Sequence, residues 1–344
     1  MARRSAKKST SSSRSAGPKT RSASSNPSGP VGGGISFAKF FVLILVILGV
    51  MYGPSLFKNG VTVSLPQRTT DYFLLKKVAQ FNVNPVPGRT FFVTDVAGVA
   101  PNLLALTDSP GGQVLEYDFK GKFIRKWGKS GDGPKNFHEP SGITTDHKGK
   151  MYVLDTWNGA VKVFDVTGKM FKTIDLTHFG FFYGPRRIGW GGDSLLIPNG
   201  SNARLPRLSL TGELLSLWEG KDVVGVVSDA ITDGKGHFYV TDDTPKKGCV
   251  RVFDESGKNI QTIRTGGAPT AMAFDSKGRL YVAGEYGPSV YDTDGKLLGV
   301  LAEESEVGKS LSYVGIDIVA NDTILTCGGD LVTIYKIAPP KEKQ

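Results

Sequence analysis

The chain has 344 residues, of which 22% are charged, and a formal net charge of +10. Eight of its basic residues fall within residues 1–57, which contain no acidic residue, so about +2 is left for residues 58–344. Nucleic-acid binding by that nearly neutral part is not expected, because it needs a strongly basic surface.

The N-terminal region predicts a tail followed by a membrane anchor. Residues 1–34 are rich in Ser, Gly, Pro, Lys and Arg, a composition that favours disorder. Residues 35–57 include the uncharged run Phe40–Phe57, which as a helix would extend roughly 27 Å and could cross a bilayer. A cleaved signal peptide is the alternative reading. The long basic segment before the run and the lack of an A-x-A site favour an uncleaved signal-anchor helix.

Charge also predicts the orientation of this anchor. Because basic residues precede the apolar run and Lys58 alone closely follows it, the N-terminus is expected in the cytoplasm. The rest of the chain would then lie outside, which in a bacterium means a single-pass inner-membrane protein with a periplasmic domain.

Residues 58–72 are expected to be a polar linker, residues 73–338 a domain of short strands, and residues 339–344 a C-terminal tail. The clearest part is Phe137–Ile174, where four apolar runs rich in β-branched and aromatic residues are separated by turns of Asp, Asn and Gly. The pattern predicts a four-stranded antiparallel sheet, and it occurs six times in all along the chain.

The spacing of the repeats predicts the architecture. Residues at the end of each second strand are 42 to 47 residues apart: Asp108, Asp155, Asn199, Asp242, Gly284 and Gly328. A period in the forties with four strands per repeat is typical of a β-propeller. The sixth repeat lacks one strand, and the strand candidate Phe73–Phe81 can supply it. The prediction is an all-β, six-bladed β-propeller that its N-terminal strand closes.

The second repeat carries a family resemblance. Its residues Phe137, Pro140–Ile143, Asp155, Asn158 and Val163–Asp165 resemble an NHL repeat, and the fourth and fifth repeats resemble it more weakly. The resemblance implies an NHL-like propeller over residues 73–338. Such propellers are mostly binding platforms, although related six-bladed rings include metal-dependent lactonases and lyases.

Two faces follow from the strand order expected of a propeller, in which the first strand of each blade lines the central channel. The connector face carries the loops between second and third strands and the connections between blades. The turn face carries the turns between first and second and between third and fourth strands. Six of the latter turns have the form Asp-x-x-Gly followed by Lys or Arg, in which Asp bonds to its own turn and Gly adopts a positive φ.

A metal site is conceivable on the connector face. Asp155, Asn199 and Asp242 occupy equivalent positions near the channel mouth, and Glu285 lies close by in the fifth repeat. Such oxygen ligands could hold Ca²⁺, which could polarise a lactone or ester. In the favoured alternative each side chain bonds only within its own loop, and no cofactor is bound.

A partner-binding site is predicted on the same face. The connector between blades 2 and 3 combines aromatic residues with two arginines, a composition typical of interface hot spots. The aromatic residues could instead fill the gap between the blades. The candidate residues are Trp157, Asn158, Phe179, Phe181, Phe182, Tyr183, Arg186, Arg187 and Tyr286.

These patterns favour binding over catalysis. The four histidines show no metal-ligand spacing, and no nucleophile motif is present. The predicted function is a membrane-anchored protein-binding scaffold whose partner is another protein of the cell envelope. The alternative is a cation-dependent hydrolase or lyase. Cys249 and Cys327 are expected to be two separate buried thiols.

Overall fold

The computed structural model describes residues 72–83, 91–179, 186–219, 225–244, 248–284, 288–303 and 314–337. All of these residues belong to one compact unit, Pro66–Gln344. The predicted tail, anchor and linker up to residue 71 lie outside the described residues.

The described residues form six four-stranded antiparallel units, numbered here as blades. Each of blades 1 to 3 consists of four strands that follow one another in the chain. Their bounds are β2 (Val93–Ala100), β3 (Leu103–Asp108), β4 (Gln113–Asp118) and β5 (Phe123–Trp127) in blade 1; β6 (Pro140–Thr145), β7 (Lys150–Asp155), β8 (Ala160–Asp165) and β9 (Met170–Asp175) in blade 2; and β10 (Gly189–Trp190), β11 (Ser194–Leu196), β12 (Arg204–Ser209) and β13 (Leu214–Glu219) in blade 3.

The remaining strands complete the ring. Their bounds are β14 (Ala230–Thr232), β15 (Phe238–Asp242), β16 (Cys249–Phe253) and β17 (Asn259–Arg264) in blade 4; β18 (Pro269–Phe274), β19 (Leu280–Gly284), β20 (Ser289–Tyr291) and β21 (Leu297–Glu303) in blade 5; and β22 (Gly315–Val319), β23 (Thr323–Gly328), β24 (Leu331–Ile337) and β1 (Tyr72–Asn82) in blade 6. Two short 3-10 helices, Thr177–Phe179 and Ala320–Asp322, lie between strands. The described residues include no helix that is long and apolar enough to span a membrane.

The N-terminal strand closes the ring, as the sequence predicts. β1 pairs antiparallel with β24, from Leu75 opposite Ile337 to Asn82 opposite Leu331. It also pairs in parallel with β21 of blade 5, which merges blades 5 and 6 into one eight-stranded sheet. Side chains also join these strands at the seam between blades 5 and 6. Glu303 at the end of β21 forms an ion pair with Lys77 of β1 at 2.9 Å and accepts a hydrogen bond from Tyr335 of β24 at 2.8 Å.

The turn chemistry explains why the strands break where they do. In blade 2, Asp146 Oδ1 accepts hydrogen bonds from the backbone N–H groups of Lys148 and Lys150, at 2.7 and 2.9 Å. Gly149 in the same turn has a φ of 101°, which a residue with a side chain rarely adopts. The same pattern of Asp acceptor and positive-φ Gly recurs around the ring, at Asp118, Asp165, Asp254, Asp275 and Asp292.

The core consists of layers between neighbouring blades. Between blades 1 and 2, for example, Phe137, Met151 and Phe164 are completely buried and pack against Val114 and Val153. Cys249 and Cys327 are buried in blades 4 and 6 and are not joined by a disulfide, as expected from the sequence.

Blade 1 contains a buried acidic residue whose titration should change the free energy of unfolding. Glu116 on β4 is 0% exposed and pairs across the sheet with Arg125 on β5, with 2.7 Å between Nε and Oε2. Burial raises the pKa of Glu116 to about 7, because desolvation outweighs the attraction of Arg125. The folded state therefore keeps a proton that the unfolded chain releases near pH 4.5.

We expect the free energy of unfolding to fall as the pH rises from about 4.5 to 7. In Glu116→Gln this fall should be smaller by about 1 kcal/mol. The difference is modest because Arg125 is partly exposed to water. Urea unfolding at pH 5 and pH 7.5 measures the effect. Some decline should persist in the variant, since burial also raises the pKa of Asp95 to about 6. Glu219→Gln is the control, because the side chains of that acid and its partner Arg204 are 52% and 38% exposed. Equal pH dependence of the wild type and Glu116→Gln would refute the assignment.

Candidate functional site

The side chains predicted to surround the channel mouth form hydrogen bonds with groups at the same end of their own blades. Asp155 Oδ1 accepts hydrogen bonds from the backbone of His138 and Glu139, at 2.9 and 3.1 Å, and Oδ2 accepts one from Asn158 at 2.7 Å. Asn199 Oδ1 accepts a hydrogen bond from Ser201 N at 3.2 Å. These contacts fix the shapes of single loops.

A basic residue on the third strand further neutralises two of these acids. Lys162 on β8 lies 2.8 Å from Asp155 Oδ2, and Arg251 on β16 lies 2.6 Å from Asp242 Oδ2. Asp242 Oδ1 also accepts a hydrogen bond from Thr244 N at 2.9 Å. Within the described residues, no three acidic, histidine or cysteine side chains lie together as metal ligands would. Glu285, the fourth predicted ligand, lies outside them.

Blade 2 also places an exposed tryptophan on the connector face. Trp157, in the loop between β7 and β8, is 63% exposed, although Asp155 and Asn158 fix that loop at its base. The ring of His138 lies 6.4 Å from the Trp157 ring. Burial raises the pKa of half-buried Glu139, and the positive charge of exposed Arg186 partly offsets this increase. We call His138, Glu139, Trp157 and Arg186 the Trp157 patch.

The other predicted partner-binding residues are placed differently. Phe179 is partly buried and packs against the core layer between blades 2 and 3, as the gap-filling alternative proposed. Phe181, Phe182, Tyr183 and Tyr286 lie outside the described residues.

Arg187 is not on the connector face, contrary to the sequence-based expectation. It is only 7% exposed, because its side chain turns into the channel instead of following that of Arg186 into solvent. There its Nη1 lies 2.6 Å from Asp95 Oδ1 of blade 1, and its Nη2 donates to the carbonyl of Val314, in front of blade 6, at 2.6 Å. One side chain from blade 3 therefore joins the far side of the ring.

Three aspartates on or next to the inner strands, of which Asp95 and Asp229 are buried and Asp317 is partly exposed, link neighbouring blades. Asp95 Oδ2 accepts a hydrogen bond from Ile143 N of blade 2 at 3.1 Å, and Asp229 Oδ2 accepts one from Met272 N of blade 5 at 2.7 Å. Asp317 Oδ2 of blade 6 accepts one from Gly98 N of blade 1 at 2.8 Å. Burial raises the pKa of each of these aspartates, and Arg187 partly offsets it.

These groups surround a cavity of about 190 Å³ on the axis of the ring, to which all six inner strands contribute. Asp95, Arg187 and Asp229 lie at its closed end and are at most 7% exposed. The lining becomes partly or fully exposed at the C-terminal ends of the inner strands, at His147, Trp190, Thr232, Phe274 and Ile318. Since those strand ends lead into turns between first and second strands, the cavity opens on the turn face.

Two signals for these groups were present in the sequence but are weak. Aspartates interrupt the apolar inner strands at Asp95, Asp229 and Asp317. The runs Val161–Asp165 and Val250–Asp254 place a basic residue at the same position of two repeats, which could have indicated a partner for the preceding acid. Neither signal specifies that Arg187 reaches across the channel.

The fold defines the chain as a β-propeller, and a sequence comparison agrees with this class. Residues 94–183 match the profile of the family DUF5128, described as a 6-bladed beta-propeller. The match covers blades 1 and 2 and the connector after them. None of the curated proteins is a significant match to the chain.

Solved structures with a similar fold come from different functional classes. A catalytically inactive virginiamycin B lyase from Staphylococcus aureus, determined with quinupristin, has a TM-score of 0.56 and 13% identity, over 74% of this chain and 83% of that one. A streptogramin B lyase has a TM-score of 0.55 and 12% identity, over 77% and 97%. The WD40 domain of Neurospora crassa Pan2 has a TM-score of 0.53 and 10% identity, over 80% and 99%. At such identities the likeness shows the fold alone.

Proposed function

We propose that the protein is a binding scaffold of the cell envelope, anchored in the membrane by residues 35–57, whose NHL-like propeller binds another envelope protein through the connector face. The observation that carries the proposal is the exposure of Trp157 on a loop with a fixed base. A large aromatic side chain on a loop that is already ordered can bury apolar surface on a partner with little further loss of backbone entropy.

The surroundings of Trp157 suit an interface with a protein. His138 adds a hydrogen-bonding ring beside that of Trp157, and exposed Arg186 adds a positive charge near Glu139. Asp132 adds a second acidic group and lies 3.3 Å from His138 Nδ1. Tryptophan and arginine are the residues most enriched at the energetic centres of interfaces. Phe181, Phe182, Tyr183 and Tyr286 belong to the same proposal on the strength of the sequence.

The cation-dependent hydrolase or lyase receives less support from this geometry. Its proposed ligands Asp155 and Asp242 each carry an ion pair with a basic residue of their own blade, and Asn199 bonds to its own loop. Calcium would have to displace Lys162 and Arg251 before it could use these oxygens. The likeness to two lyases, at 13% and 12% identity, extends to the fold and supplies no reaction.

Trp157→Ala should abolish most of the binding to the envelope partner, with a loss of at least about tenfold in affinity, because the ring supplies the largest exposed apolar area of the patch. Chemical cross-linking of the full chain in its own membranes, followed by quantitative mass spectrometry, identifies the proteins captured by the wild type and lost in the variant. The partner is then purified and its affinity is measured.

Phe171→Ala is the matched control, since Phe171 is an aromatic residue with 55% exposure on the outer strand of the same blade. It should leave capture unchanged, and both variants should melt as the wild type does. Capture that survives Trp157→Ala, or that is lost equally in Phe171→Ala, would reject the patch as the binding site.

A further inference from the structure

The central cavity has the charge balance of a cation site. Three aspartates line it, Asp95, Asp229 and Asp317, whereas Arg187 is the one permanently charged basic residue in the described lining. Arg187 forms an ion pair with Asp95. Among the described residues, Asp229 and Asp317 form no ion pair, and both accept hydrogen bonds from backbone N–H groups.

The positive charge near these carboxylates is incomplete, since Asp95, Asp229 and Asp317 share Arg187, and His147 adds to it only beside Asp317. Asp229 is 3% exposed and lies at the closed end of the cavity, whereas Asp317 is partly exposed and lies on its wall. A carboxylate taken out of water is destabilised unless a positive charge is placed beside it. A cation in the cavity would provide that charge to both residues at once.

The walls indicate what kind of cation would fit. Trp190, Phe274, Ile231 and Ile318 contribute to the lining. Their side chains also pack against the core layers between blades, where the Trp190 ring lies 5.9 Å from that of Tyr152 and the Phe274 ring 4.9 Å from that of Tyr239. All four are only partly buried, so they leave apolar surface for the carbon atoms of an organic cation, and aromatic rings attract its charge. A metal ion would need several converging oxygen ligands, but each aspartate stands on a different blade and no three-ligand group is found in the described residues.

We propose that the cavity binds a small organic cation, an alkylammonium or guanidinium compound, through its turn-face mouth. Its charged group would lie near Asp229 and Asp317, and its carbon atoms would contact Trp190 and Phe274. The volume of about 190 Å³ exceeds the roughly 150 Å³ of an engineered cavity that admits benzene, so a ligand of up to about ten non-hydrogen atoms fits. The site is separate from the Trp157 patch, which lies on the opposite face.

Isothermal titration calorimetry of the full chain with choline, ethanolammonium and methylguanidinium tests the proposal. At least one of the three should bind saturably. The neutral carbon analogue of choline, 3,3-dimethyl-1-butanol, separates charge from shape in the wild type, without any substitution, and should bind at least about tenfold more weakly than choline if choline is a ligand.

Asp317→Asn should weaken binding of the cation by at least about tenfold, since it removes a charge at the wall but keeps an acceptor for Gly98 N. Asp193→Asn is the control, because Asp193 is an exposed acid that pairs with Arg207 outside the cavity lining. The proposal is overturned if none of the three cations binds, if a neutral analogue binds equally well, or if Asp193→Asn loses as much affinity as Asp317→Asn. Saturable binding of calcium chloride with no response to the organic cations would overturn it in favour of a metal.

Discussion

Replacement of Arg187 by methionine is expected to destabilise the propeller by about 3–5 kcal/mol, the usual effect of removing one partner of a buried ion pair. Methionine retains much of the volume but leaves Asp95 without its cation and the Val314 carbonyl without its donor. Urea unfolding at pH 8 measures the loss.

The adjacent Arg186→Met is the control for this experiment and should cost less than about 0.5 kcal/mol, since Arg186 is exposed. Asp95→Asn combined with Arg187→Met should recover part of the loss, because no unpaired charge is then left at that position. The loss in Arg187→Met should also be smaller at pH 5 than at pH 8. Without Arg187 the pKa of Asp95 rises further, and the acid is neutral at the lower pH. Similar stabilities for the two single arginine variants would show that Arg187 does not join the blades.

The second large effect is expected at the seam of the ring. Leu75 on β1 is 1% exposed and packs in the core layer shared by blades 5 and 6, against residues such as Tyr281 and Tyr335. Leu75→Ala should cost about 2–5 kcal/mol through the cavity it leaves. Hydrogen exchange should accelerate first in β1, β21 and β24, because these strands hydrogen-bond across the seam.

Leu215→Ala provides the comparison, since Leu215 is 50% exposed on an outer strand and its truncation should cost less than about 0.5 kcal/mol. Uniform acceleration of exchange around the whole ring in Leu75→Ala would contradict a local opening at the seam.

The architecture could be predicted because it depends on local sequence patterns. Alternating apolar runs, Asp turns and a period in the forties specify strands and blades, and the incomplete sixth repeat predicts closure by a strand from the N-terminus. That strand proved to be Tyr72–Asn82, within a residue of the expected bounds. Its parallel pairing with β21 was not predicted, because a repeat pattern contains no information on contacts between different blades.

The site was harder to predict because it depends on the direction in which single side chains point. Arg186 and Arg187 are adjacent and chemically identical, yet one is exposed and the other enters the channel at the start of an inner strand. Residue types alone could not separate them. Trp157 and Asn158 needed less information, because their position in the loop between second and third strands places them on the connector face. The metal, the partner and the membrane anchor stay predictions.

The pairing of β1 with β24 fixes where the ends of the propeller emerge. β24 starts beside the loop Gly328–Leu331 on the connector face and runs to Ile337 at the turn face, where it meets the beginning of β1. Tyr72 and Ile337 thus leave the propeller on the side of the cavity mouth. Attachment to a biosensor chip at either end of the propeller would therefore turn the cavity mouth towards the chip and present the Trp157 patch to the flowing solution.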